Sequence, residues 1–138
     1  MIVLDSGPLV AAINSRDNHH KACASLLPSH PGPLLVPPTV ITEVCQLAES
    51  RQGSKAEAAF LQSFGSGLTL VELTAEDLTR MSSLVETYAS LPHGAVDASV
   101  IAIAERLDIA EVATLDRRHF TVVRPAHMGS LVLLPEEL

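Results

Sequence analysis

The chain has 138 residues, 47% hydrophobic and 18% charged, enough for one domain and too apolar for a predominantly disordered one. Sixteen acids against nine Lys and Arg give a net charge of −7, which excludes coating of nucleic acid or anionic membrane by bulk electrostatics. With no Trp, one Tyr and three Phe, binding through rows of stacked aromatics is also excluded.

Cys23 and Cys45 are too few for a disulfide scaffold and lack the paired spacing of a zinc site. A domain of this size builds its core without staples, so a bound metal would serve chemistry rather than folding. The N-terminus has no basic region followed by a long apolar stretch, and no run approaches the ~18 apolar residues of a membrane span. The expectation is a soluble, cytoplasmic protein with no signal peptide and no membrane partner.

Short apolar runs alternate with segments of helical period, the pattern of an α/β domain with a mostly parallel, buried sheet flanked by helices. Ile2-Val3-Leu4 is the first strand. After Gly7-Pro8, the residues Leu9, Val10, Ala12 and Ile13 predict a short helix with Pro8 at its first position. Asp17-Asn18 caps a second helix from about His19 to Leu27, and Pro28, Pro31, Gly32 and Pro33 form a loop. Leu34-Leu35-Val36 is the second strand, stopped by Pro37-Pro38, after which Val40, Ile41, Val44, Leu47 and Ala48 mark a third helix that carries Glu43.

A fourth helix, about Lys55 to Phe64, ends at Gly65-Ser66-Gly67, and Leu68 to Leu73 is a third strand. Thr74 and Asp77 form a capping box for a helix reaching about Tyr88. Leu91-Pro92-His93-Gly94 is a turn, and Val96, Val100, Ile103 and Leu107 are the buried stripe of the next helix. Val112 to Leu115 is a fourth strand, and Val122-Val123 and Leu131-Val132-Leu133 are short edge strands. With no repeat, low-complexity tract or linker, residues 1–138 read as a single domain.

Four acids stand where an α/β sheet binds ligands, at the carboxyl ends of its strands. Asp5 ends the first strand, Asp116 follows the fourth, Asp97 lies in the first turn of its helix, and Glu43 is about one turn into the helix after strand two. Taken singly each has a plain role, in a cap, a helix dipole, a turn or a solvated surface. Together they would repel one another, and a hard divalent ion such as Mg²⁺ or Mn²⁺ resolves the repulsion. Metals held by carboxylates suit phosphodiester hydrolysis.

Arg117, Arg118 and His119 directly follow Asp116 and are candidate contacts to RNA phosphates, with a solvated turn as the plain alternative. His19-His20 reads as an exposed helix start, since adjacent helical residues face different ways. Cys23 and Cys45 read as small core residues. No nucleophile elbow surrounds Ser6, and neither a P-loop nor a dinucleotide-binding glycine fingerprint is present.

The segments Ile2-Val3-Leu4-Asp5-Ser6, Thr42-Glu43-Val44, Val96-Asp97-Ala98-Ser99 and Thr114-Leu115-Asp116-Arg117-Arg118-His119-Phe120 resemble, in order, the acidic motifs of PIN domains, and most nearly those of VapC toxins. The resemblance spans nearly the whole chain. It implies a single PIN-like α/β domain and a Mg²⁺- or Mn²⁺-dependent endoribonuclease using Asp5, Glu43, Asp97 and Asp116. It further implies inhibition by a small VapB-like antitoxin, and a homodimer. Ser6 matches the Ser or Thr that follows the first acid and is a candidate for holding the site or touching RNA. Gly7-Pro8 departs from the small, helix-compatible residues of many members. Two other readings are a catalytically weak PIN-like RNA-binding or scaffold module and a Mg²⁺-binding receiver-like signalling domain. The receiver reading lacks a second acid after strand one, an Asp after strand three and any Lys beyond Lys55.

Overall fold

In the computed structural model, which describes residues 1–91 and 94–138, five strands form one wholly parallel sheet. They are β1 (Ile2–Leu4), β2 (Leu34–Val36), β3 (Leu68–Leu70), β4 (Glu111–Ala113) and β5 (Val132–Leu134), in the order β3-β2-β1-β4-β5. Parallel strands are connected through crossovers, and seven helices flank the sheet. They are α1 (Ser6–Ile13), α2 (His20–Ser29), α3 (Pro38–Gln52), α4 (Ser54–Gln62), α5 (Ala75–Thr87), α6 (Ala95–Arg106) and α7 (Arg117–Val122). A 3₁₀ turn at Ser63–Gly65 leads from α4 towards β3.

Strand order carries the functional logic. The chain lays down β1, β2 and β3 outward in one direction, then returns across β1 to place β4 and β5 on its other side. The reversal falls between β1 and β4, and in open α/β sheets such a switch point opens a crevice beyond the carboxyl ends of the strands. Leu4 pairs with Ala113, so the residues just beyond them, Asp5 and Thr114, meet across the crevice.

The core is aliphatic. Every residue of β1 is fully buried, as are Val36, Val40, Val44, Val100, Ile101, Ile103 and Val112. Helix α6 packs against β1, β4 and α3 and is covered by α5. Its seven consecutive residues Ala98 to Ala104 are all buried, where a single stripe was expected. Neighbours on several sides remove the solvent face, and the small Ala98, Ser99, Ala102 and Ala104 let them approach.

Polar ties hold α5 to α6. The predicted capping box forms, with Asp77 donating its N–H to Thr74 Oγ1 and accepting the Thr74 N–H at 3.0 Å each. The same buried Asp77 carboxylate accepts from Arg106 Nε, linking the start of α5 to the end of α6. Glu105 takes a two-pronged contact from Arg80, at 2.7 and 2.9 Å, and also accepts the Ala126 N–H.

Several boundaries differ from expectation for local reasons. Helix α1 begins at Ser6, so Pro8 is its third residue, still within the first turn where an N–H has no intrahelical acceptor. Pro28 lies inside the closing turn of α2 rather than in a loop, where its missing N–H costs a single ladder bond. Strand β3 stops at Leu70 and β4 at Ala113, which puts Thr114 and Leu115 between β4 and Asp116. Val122-Val123 is no strand: Asp116 caps a helix that runs through Val122, and the cap together with the burial of Phe120 overrides β-branched propensity. The expected turn at Leu91-Pro92-His93-Gly94 falls partly on residues 92 and 93, outside the described residues.

Two glycines sit where geometry favours them. Gly53 joins α3 to α4 at φ 90°, ψ 177°, a region open essentially to glycine. At Gly7 a Cβ would lie 3.2 Å from Leu115 Cβ, tighter than ordinary contact, so any other residue would push the loop carrying Asp116 outward by a few tenths of an ångström.

Truncating Ile101 to Ala should lower stability by about 2–5 kcal/mol through the cavity it leaves. Leu78→Ala on the outer face of α5, where Leu78 is 56% exposed, should stay within about 0.5 kcal/mol. Urea midpoints of the two variants, compared with the parent, check this.

Candidate active site

The four sequence-predicted acids arrive at the switch-point crevice from four elements. Asp5 follows β1 and occupies the N-cap position of α1, yet its side chain makes no cap hydrogen bond. Its backbone N–H extends the ladder to Ala113 O at 2.9 Å. Glu43 is half-buried in α3, Asp97 is the third residue of α6, and Asp116 caps α7 by accepting the His119 N–H at 3.4 Å. The plain role considered for Asp116 is thus also real.

Thr114 fixes the relation between two of them. Fully buried just beyond β4, its hydroxyl donates to Asp5 Oδ2 and accepts the Asp116 N–H, each at 2.9 Å. Its own N–H bonds Leu134 O at 3.0 Å, so β5 braces it from the far side. One hydroxyl therefore sets the orientation of the Asp5 carboxylate and the start of the Asp116 turn. A second hydroxyl pair, Thr39 Oγ1 with Ser99 Oγ at 2.6 Å, ties the first turn of α3 to α6, the helices that carry Glu43 and Asp97.

The electrostatics show how closely the acids are gathered. Asp5, 5% exposed, has its pKa raised to about 6, chiefly by burial, with Glu43 and Asp116 adding to it. Hydrogen bonds from the Ser6 backbone and the Thr114 hydroxyl work in the opposite sense. Asp97 is raised further, to about 7, by burial first and then by the charges of Asp5, Asp116 and Glu43. Asp5 and Asp97 therefore both feel the charges of Glu43 and Asp116. Asp97 and Asp116 also gather with His119 so that one ligand atom from each lies within 4.8 Å of the others. His119 Nδ1 lies against Asp116 Oδ2 and 3.6 Å from Asp97 Oδ2.

The arrangement fits a divalent cation. Oxygen-rich donors converge, negative charge is in excess, and the buried Asp5 and half-buried Asp97 carboxyls resist ionisation until something offsets that charge.

The candidate RNA contacts divide. Arg117 is not turned to the crevice: its guanidinium donates to the carbonyls of Leu133 and Pro135, locking the C-terminal strand to α7. Arg118 is exposed, as a substrate contact must be. Ser6 is buried, which removes it from the surface, and its hydroxyl has no hydrogen-bond partner among the described residues. His119, grouped in the sequence reading with the two arginines, is buried against the acids instead. His20 Nδ1 donates to Ala11 O, and Cys23 is buried as expected while Cys45 is half-buried.

Comparison with known proteins places this geometry. The PIN domain family model matches residues 2–124, and the chain belongs to the PIN domain family. Membership replaces the receiver-like alternative. Ribonuclease VapC26 of Mycobacterium tuberculosis is 29% identical over 135 residues, which are 97% of this chain and all of that protein. Among solved structures, VapC20 of M. tuberculosis, described as a sarcin-ricin loop cleaving toxin, superposes with a TM-score of 0.74 at 21% identity, covering 81% of this chain and 87% of that one. VapBC2 of Rickettsia felis, solved on a fragment of promoter DNA, gives 0.67 at 20% identity over 96% and 97% of the two chains. These solved relatives share the fold.

The raised carboxyls make stability depend on pH. The folded state holds protons on Asp5 and Asp97 that an unfolded chain, at the ordinary value of 3.8, releases earlier, so without divalent ions the fold loses stability as pH rises from about 4 to about 7. Asp97→Asn should therefore melt above the parent at pH 8 in EDTA, and the difference should shrink as the pH falls to 4.5. Thermal melts at the two pH values test this, and a gap of equal size at both would contradict it.

Proposed function

We propose that this protein is a divalent-metal-dependent endoribonuclease, the toxin of a VapBC-type toxin–antitoxin pair. The observation that carries the reading is the convergence of four carboxylates on the switch-point crevice of a PIN chain. Similarity to a named ribonuclease across 97% of the chain supports it.

In this reading Asp5, Asp97 and Asp116 hold Mg²⁺ or Mn²⁺, and Glu43 binds a second ion or orients the attacking water. When bound, the metal activates water and offsets charge on the scissile phosphate. The Thr114 hydroxyl keeps the Asp5 carboxylate aimed across the crevice. Arg118, beside Asp116 and exposed, engages phosphates of the RNA flanking the cut. No side chain acts as nucleophile. The alternative of a catalytically weak RNA-binding or scaffold module has no observation of its own in its favour, since all four acids are present and gathered.

The partner in this reading is a small VapB-like antitoxin, and the toxin is a homodimer working on RNA in the cytoplasm. Solved relatives support the pairing, as they include a toxin–antitoxin complex from Klebsiella pneumoniae of the same fold, with a TM-score of 0.68 over 96% of this chain. Among the described residues no helix is long and apolar enough to cross a membrane.

Purified protein should cleave RNA with Mg²⁺ or Mn²⁺ and lose the activity in EDTA. Asp5→Asn should reduce cleavage by at least about 100-fold with the far-ultraviolet circular dichroism unchanged. Cleavage that persists in both conditions would exclude the mechanism. Removing the Thr114 hydroxyl in Thr114→Val should weaken Mn²⁺ binding about 10- to 100-fold by calorimetry, as loss of support behind a metal ligand does, while Thr114→Ser should retain most of it.

A further inference from the structure

We propose that His119 supplies a nitrogen ligand to the metal centre, so that the centre is a mixed nitrogen and oxygen site that favours Mn²⁺ over Mg²⁺. The inference rests on the metal-binding reading above and adds to its four carboxylates.

Three facts carry it. His119 Nδ1 touches Asp116 Oδ2 and lies 3.6 Å from Asp97 Oδ2, which places the nitrogen between two of the acids rather than beside one. The three donor atoms all lie within 4.8 Å of one another. An octahedral ion with bonds of about 2.1 Å holds neighbouring ligands about 3 Å apart and opposite ones about 4.2 Å apart, and the 3.6 Å from His119 Nδ1 to Asp97 Oδ2 falls between the two. Finally, the ring is held in place. His119 is 8% exposed, its ring Nδ1 meets Asp116 Oδ2, its backbone N–H donates to Asp116 Oδ1 at 3.4 Å, and the adjoining Phe120 is 1% exposed in the core.

The helix explains why His119 parts company with its neighbours. In α7 the three consecutive side chains of Arg117, Arg118 and His119 must leave in different directions. Arg117 goes to the C-terminal strand, Arg118 to solvent, and His119 back over the helix start towards Asp97. The chemical consequence concerns choice of metal. Mg²⁺ takes oxygen and gives up its water reluctantly, whereas imidazole suits first-row transition ions.

The test uses the intact chain loaded with Mn²⁺ alone. Electron spin-echo spectroscopy should show nitrogen coupling from a directly bound imidazole in the parent and none in His119→Gln. Calorimetry should show the substitution lowering Mn²⁺ affinity by about tenfold or more while changing Mg²⁺ affinity by less than about threefold. Mn²⁺ bound without nitrogen coupling, or equal losses for the two ions, would overturn the proposal and leave the carboxylate centre standing. Failure to bind Mn²⁺ at all would overturn both. Should His119→Gln misfold, the spectrum of the parent decides the question by itself.

Discussion

Parallel strands that lie side by side deliver their carboxyl ends to the same rim, and here that constraint acts on β1 and β4. Their register, Leu4 opposite Ala113, leaves Asp5 facing Thr114 across the crevice, and the Thr114 hydroxyl turns that adjacency into a bond. Everything else at the site hangs on this pair. The Asp116 turn starts from the same hydroxyl, α7 starts from Asp116, and the direction in which His119 leaves α7 follows. The order β3-β2-β1-β4-β5 is thus more than bookkeeping of topology, because any order that separated β1 from β4 would take Asp5 away from Asp116.

Holding carboxylates so close is unfavourable, and the fold must supply the means. The aliphatic core under the crevice is dense, with β1 fully buried and α6 buried along seven successive residues. Burial is also the largest cause of the raised pKa of both Asp5 and Asp97, so the packing that stabilises the domain is what makes the acids reluctant to ionise. Polar ties on α5 and α6, from Asp77 to Arg106 and from Arg80 to Glu105, lie away from the rim and keep the helix bearing Asp97 fixed.

Much of this was legible from residues alone. The strands Ile2–Leu4 and Leu34–Val36 were read with their observed bounds, since each is a short apolar run closed by Asp or Pro. The Thr74 box was readable because capping is a local matter of one side chain and one turn. The positions of the four acids were readable because Asp5 and Asp116 follow strands, Asp97 opens a helix and Glu43 lies about one turn into the helix after β2, and topology does the rest. What escaped was direction. Nothing local separates Arg117 from Arg118, and only the arrival of β5 supplies the carbonyls that draw Arg117 away. His119 looked like a member of a basic cluster because α7 is six residues long and Val122-Val123 at its end favours a strand, which hid the cap at Asp116. The spacing of a hydroxyl two residues before an acid, Thr114 and Asp116, was the available signal for Thr114, but its meaning depends on the opposite strand.

Gly7 shows the same dependence on very small distances. The missing methyl group leaves α1 resting on Leu115, one residue before Asp116, in a gap that a Cβ would narrow to 3.2 Å. The glycine therefore works as a spacer gauge. It sets how far the loop after β4 stands from the helix after β1, and with it the span between the carboxylates that each of them brings. The spacing of the rim is then written partly in a residue that carries no charge and no side chain.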